Sequence, residues 1–167
     1  MPPQPEGVWN SVYNDSKWVD ASGPDRYRRA IYTYIKRTSG YPSFLIFDAS
    51  DHDVSLARRI PTNTPLQALV TMNDPVYQEA AEALAKRMLQ ASDTLDGRIR
   101  CGTRMVLSRE PSDFERSTLH RLFEEALAQA NENSKGAAVT NPKSRKELSA
   151  LTAVASVLFN LDAAVTR

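Results

Sequence analysis

Ser112-Asp-Phe-Glu115, with the residues that follow it, constrains the fold more than any other part of this chain. A serine hydroxyl can accept from a first-turn amide while a glutamate three residues on reaches back to the serine amide, and the pair fixes a helix start. Beyond it, Leu119, Leu122, Phe123, Ala126 and Leu127 recur at the spacing of one helical face. An amphipathic helix has to bury that face against other elements. No segment offers several residues of strict apolar–polar alternation, so the partners are expected to be helices and the class all-α.

Other start signals agree. Thr62-Asn-Thr-Pro65 places Thr64 as a cap with Pro65 at the first helical position, predicting a helix through about Met72. Asn73-Asp-Pro75 repeats the device and opens a long helix to about Gln90, with Val76, Ala80, Ala83, Leu84 and Arg87 or Met88 on one side. A helix over Leu95 to Leu107 is led by Ile99, Thr103, Val106 and Leu107. Another, from Ser144 to about Phe159, turns Leu148, Leu151, Ala155 and Leu158 inward. From Asp25 to about Arg37 the apolar Tyr27, Ile31, Tyr34 and Ile35 follow helical spacing, whereas Arg28, Arg29, Tyr32 and Lys36 fall largely elsewhere. Phe44-Leu-Ile-Phe47 is too short to assign by period; Asp48 to Asp53 reads as an acidic turn leading to a helical turn through Arg58 and Arg59. Asn131 to Pro142 reads as a polar loop. The expectation is an irregular bundle of about six helices over residues 25–167, read as a single domain with a long polar loop, preceded by an extended arm over residues 1–24.

Prolines at positions 2, 3 and 5 impose extended backbone on that arm. We read its first eight residues as continuing from upstream, so the lack of a signal-peptide core there says nothing about targeting. Trp9, Tyr13 and Trp18 are aromatic anchors, packing over the edge of a helical core or forming a sugar- or base-stacking platform. At 167 residues the chain can hold a core without staples. Its 21 basic and 20 acidic residues leave a formal net charge of +1, which argues against general nucleic-acid binding. Lone Cys101 excludes an intrachain disulfide and reads as a small core residue. No stretch approaches the apolar length needed to span a bilayer.

Signatures for metals and cofactors, such as CxxC, CxxCH, HExxH or a glycine-rich phosphate loop, are missing, so no cofactor is expected in this chain. His120 sits mid-helix and reads as structural. His52, in Asp51-His-Asp53, is a poor metal ligand set because three adjacent residues in one turn rarely converge on one ion. The density of directional polar groups is highest in Arg28, Arg29, Arg37, Asp48, Arg58, Arg59, Asn63, Gln67 and Asn73. Arginine forks match carboxylates, phosphates and sulfates. Two readings stand: an internal network in which Asp48 and its neighbours neutralise the arginines and tie down a long loop, or an anionic-glycan-binding patch. A third, an active-site contribution, would need carboxylates with raised pKa in a cleft.

Arg28-Arg-Ala-Ile-Tyr-Thr-Tyr-Ile-Lys-Arg-Thr38, Phe47-Asp-Ala49, Arg58-Arg59, Thr62-Asn-Thr-Pro-Leu-Gln-Ala-Leu69 and Asn73-Asp-Pro75 together resemble the planctomycete cytochrome c-associated C-terminal domain of unknown function. Pro-Gln-Pro-Glu-Gly-Val-Trp9 near the start, and Ala150 to Asp162 with Thr166-Arg167 at the end, are similar to the same domain. The resemblance implies a domain that closes large exported cell-envelope or periplasmic proteins carrying a c-type haem region, in polysaccharide-handling systems. Its partners would be neighbouring domains of the same polypeptide, with glycan as a further ligand class. It supplies no catalytic residues. The chain departs from that pattern at Ile35, Ser50, His52, Ser55 and Pro61, where tryptophan, proline, arginine, cysteine and arginine are common. Ser55 puts any thiol role of that position in doubt. The expected function is therefore a non-catalytic interaction or scaffolding domain, with a part of a carbohydrate-active enzyme or an anionic-glycan-binding module as the alternative.

Overall fold

The computed structural model describes residues 18–35, 40–50, 55, 57–58, 60–133 and 142–166. Among them every regular element is helical, the class that the periodicity predicts. The chain divides into two compact units, Met1–Val70 and Thr71–Arg167.

The second unit is a helical bundle. It contains α3 (Pro75–Ala91), α4 (Leu95–Leu107), α5 (Asp113–Asn133), α6 (Pro142–Phe159) and the single turn α7 (Asp162–Val165). The starts of α3, α4 and α5 have chemical causes. The Asp74 carboxylate accepts from the Val76 amide at 2.8 Å with Pro75 in the first turn. Thr94 accepts from the Gly97 amide at 3.2 Å, and α4 ends at Ser108 in the left-handed conformation. The predicted capping box closes in both directions: the Glu115 amide donates to Ser112 Oγ at 3.2 Å, and the Ser112 amide donates to Glu115 Oε2 at 2.8 Å. Arg109 adds a fork onto the Glu115 carboxylate at 2.6 and 2.7 Å. That donor pair, ahead of the opposing cost of burial and the help of the Ser112 amide and hydroxyl, lowers the Glu115 pKa from 4.5 to about 2.

Helix α6 runs along α3 and α5 and contributes Ala150, Leu151, Val154, Ala155 and Leu158, all fully buried. Facing them are Ala81, Leu84, Ala85 and Met88 of α3, Ile99 of α4, and Leu119 and Phe123 of α5. Alanines on α3 and α6 let the two helices approach closely, and Gly102 does the same for α4: a Cβ there would lie 2.7 Å from Met88 Sδ and 3.1 Å from Leu158 Cδ1. The expected inward face of α3 is corrected in phase. Ala80, Ala83 and Arg87 are exposed, while Ala81 and Ala85 are buried with Leu84 and Met88. An alanine-rich helix is apolar at many phases, and the two large side chains, Leu84 and Met88, decide which one buries area.

The first unit has little apolar core. Trp18 stacks on Tyr41 with ring centroids 5.7 Å apart, and Phe44 meets Tyr41 edge-on at 5.3 Å. Tyr41 and Ser43 are buried at the start of α1 (Pro42–Ile46), one turn that takes Phe44, Leu45 and Ile46 of the ambiguous run into helix and leaves Phe47 as its C-cap. Helix α2 (Pro65–Asn73) begins in this unit, and the division falls within it.

The helix predicted over residues 25–37 is corrected. The described part forms two 3-10 turns, Gly23–Tyr27 and Ala30–Tyr32, with Arg28 and Arg29 extended between them. Tyr27, Ile31, Tyr32 and Tyr34 remain largely exposed. A helix this short is marginal in water unless one face is buried, and a segment rich in tyrosine, isoleucine and threonine has poor intrinsic propensity. Residues 1–17, which include Trp9 and Tyr13, lie outside the described residues, as do Asp51, His52, Asp53 and residues 134–141 of the expected polar loop. No described helix is long and apolar enough to cross a membrane.

Candidate functional site

The site begins where α1 ends. The Phe47 amide closes the last turn on the Ser43 carbonyl at 3.0 Å, and the Ala49 amide reaches the Phe44 carbonyl at 2.9 Å. Between them Asp48 takes φ of 55°, the left-handed position where glycine usually stands. Aspartate tolerates this conformation better than most residues. Here its carboxylate faces a specific target. The Thr62 amide donates to Oδ2 at 2.6 Å, and the Thr62 hydroxyl donates to the same carboxylate at 2.9 and 3.0 Å.

Thr62 in turn accepts from Gln67 Nε2 at 3.1 Å, and the other proton of that amide goes to the Ile46 carbonyl at 2.8 Å. Gln67 Oε1 accepts from the Thr64 amide at 2.9 Å, while the Gln67 amide donates to Thr64 Oγ1 at 3.3 Å. Thr64-Pro-Leu-Gln67 is thus a second capping box, with glutamine in the role of glutamate. Gln67 is 1% exposed. Its side chain joins the end of α1, the threonine that Asp48 holds, and the start of α2. One chain of hydrogen bonds runs from the Gln67 amide through the Thr62 hydroxyl to the Asp48 carboxylate, a clasp across fourteen positions of sequence.

Of the nine candidate residues, the structure brings together Asp48 and Gln67. Arg28 pairs instead with Asp25, Nε to Oδ1 at 2.8 Å, with its guanidinium 5.8 Å from the Tyr32 ring centroid. Arg29 is exposed between the two 3-10 turns, and Arg58 is exposed at a bend. Asn63 and Asn73 are exposed before and at the end of α2, each with polar contacts of its own. Arg37 and Arg59 lie outside the described residues. The expected arginine acceptor, Asp48, is held by a threonine: among the described residues no arginine ion pair reaches it. Thr62 stands in the sequence only as part of the signal before α2 and not as a partner of Asp48, and the Ile46 carbonyl has no sequence signal. The threonine–glutamine spacing was a readable signal for the second box; the Asp48–Thr62 contact had none, because it joins residues far apart in the chain.

The clasp leaves α2 with an inverted arrangement. Its buried positions are polar, Gln67 and Thr71, whereas Leu66 and Leu69 are each 54% exposed. Thr71 donates to Asn160 Oδ1 at 2.5 Å within the second unit. From Ile60 to Asn73 the sequence holds no charged residue, although a quarter of the whole chain is charged. Elsewhere, His120 Nε2 lies 3.7 Å from Asp96 and Cys101 is half-buried. Among the described residues no group of three histidine, cysteine or acidic side chains converges closely enough to hold a metal.

Comparison with known proteins is sparse. No curated protein matches the chain, and no solved structure does. One family model covers residues 1–123, which takes in the whole first unit and the second as far as the middle of α5. The chain belongs to the family described as PSD1, a protein of unknown function (DUF1553).

Proposed function

We propose that this chain is a non-catalytic interaction or scaffolding domain, and that its first unit presents Leu66 and Leu69 to a neighbouring domain of the same polypeptide. One observation carries the reading: the polar groups gathered at the candidate site are spent on one another. Asp48, Thr62, Thr64 and Gln67 satisfy each other and the Ile46 carbonyl, so their work is to fix where α2 starts and which side it turns outward. An uncharged apolar side turned to solvent is what the core of a protein interface looks like before its partner is in place. The resemblance noted above adds the setting: a large exported cytochrome c-associated protein of the cell envelope, active in polysaccharide handling, with any haem held elsewhere and no cofactor in this chain.

Amide exchange tests the reading. In the intact polypeptide that carries this chain, residues 60–70 exchange more slowly than in the isolated chain. Equal rates in both would overturn it. If, in addition, the isolated chain is retained on a sulfated polysaccharide column and Arg58→Ala abolishes that retention, the anionic-glycan reading takes its place.

A further inference from the structure

We propose that residues 25–35 form a conditional amphipathic helix that docks on an anionic lipid surface. The argument starts from a mismatch between pattern and structure. Tyr27, Ile31, Tyr34 and Ile35 fall on one face at helical spacing, yet the segment folds as two 3-10 turns with extended residues between them. The reason is the missing burial. Ile31 is 81% exposed and Tyr27 59%, so coiling would cost backbone entropy in water and bury nothing in return.

A lipid interface supplies what water does not. It takes up an apolar face to the depth of the headgroup–acyl boundary and favours the helix that gathers that face, because coiling pairs the mid-segment backbone groups with one another and leaves the helix ends to the hydrated headgroups. Arg26, Arg28 and Arg29 belong to the same stretch, and from Arg26 to Phe47 the sequence holds no aspartate or glutamate. In a helix Arg26 and Arg29 would lie away from the apolar stripe. A short basic amphipathic helix with tyrosine and isoleucine opposite is the composition that lies in an anionic interface. The aliphatic members decide between partners: Ile31 and Ile35 add nothing to a stacking surface for sugars, whereas they partition into acyl chains. In the structure the Arg26 and Arg28 guanidiniums lie 5.8 Å from the ring centroids of Tyr27 and Tyr32. Both exchange a ring for lipid phosphate when the segment docks, and Arg28 gives up Asp25 in the same step.

Vesicle co-sedimentation of the chain tests this, with far-ultraviolet circular dichroism on the same samples. Vesicles of phosphatidylcholine and phosphatidylglycerol in equal amounts bind the chain and raise its helicity, and vesicles of phosphatidylcholine alone do neither. Arg29→Glu, a change of two charges each worth about 1 kcal/mol near such a surface, lowers the partition coefficient roughly thirtyfold. Ile31→Ser lowers it as well, and neither exposed substitution changes the thermal melt of the bundle. The proposal is overturned by equal binding to both vesicle types, by no binding to either, or by binding without added helix. It is also overturned if Arg29→Glu loses retention on a sulfated polysaccharide while vesicle binding is absent, which would make a soluble polyanion the partner. Exchange at residues 60–70 reads the scaffolding proposal separately, so either reading can fail alone.

Discussion

Replacing Asp48 removes a carboxylate that accepts from both the amide and the hydroxyl of Thr62. A hydrogen bond to a charged group is worth about 1.5–3 kcal/mol, and the exposed rim at Thr62 places this one at the lower end, near 1.5–2 kcal/mol. Alanine brings a second cost, because at φ of 55° a side chain without local hydrogen bonding adds roughly 1 kcal/mol of backbone strain. Asp48→Ala should therefore weaken the clasp by about 2–3 kcal/mol, Asp48→Gly by roughly 1–2 kcal/mol because the strain is relieved, and Asp48→Asn least of all, since it keeps an acceptor and tolerates the same conformation. The direct readout is exchange of the Thr62 amide by nuclear magnetic resonance. With about 1.4 kcal/mol per tenfold, Asp48→Ala accelerates it on the order of 30- to 100-fold and Asp48→Asn less than tenfold. An unchanged Thr62 rate in Asp48→Ala would refute the clasp. Identical rates in the alanine and glycine variants would refute the strain component.

Other outcomes follow from the bundle. Ser112→Ala costs about 1 kcal/mol in denaturant melts, because the Glu115 amide loses its acceptor. Stability falls as pH drops from 4.5 to about 2: the Glu115 pKa is lower folded than unfolded, so its contribution is complete above the unfolded value and lost as the folded carboxylate protonates. Glu115→Gln flattens the melting temperature across that window. Leu151→Ala, at a fully buried position of α6, costs about 3 kcal/mol, and Gly102→Val about 2–3 kcal/mol by pressing on Met88 and Leu158. A chain ended after Phe123, where the family match stops, lacks α6 and should show no cooperative melt.

What could be read in the sequence follows from what each element rests on. Helices α3, α4 and α5 carry caps, and all four long helices from α3 to α6 carry periodic large side chains, both local signals; the structure places them within a few residues of expectation. The phase of α3 was not legible because alanine leaves too little area to choose a face. The Gly23–Ile35 segment has the helical pattern without the surface that would reward it. Half of the site was readable: Asp48 and Gln67 stood out as directional polar groups, and Thr64-Pro-Leu-Gln67 carried the spacing of a capping box. The pairing of Asp48 with Thr62 depends on the chain reversing after α1 and on a left-handed aspartate, neither of which has a local signature. Arginine was the expected partner because charge is visible in a sequence, whereas the position of a backbone amide is not.

The central claim is that the clasp turns Leu66 and Leu69 of α2 toward a domain of the same polypeptide. Thiol labelling tests it most directly. A single cysteine is placed at Leu69 with Cys101→Ser as background, and an Ala80→Cys variant on the exposed side of α3 serves as control. The account predicts that the cysteine at position 69 reacts fast with a maleimide in the isolated chain and at least tenfold more slowly in the intact polypeptide (about 1.4 kcal/mol of protection), with position 80 reacting fast in both. Equal rates at position 69 in the two proteins would contradict it.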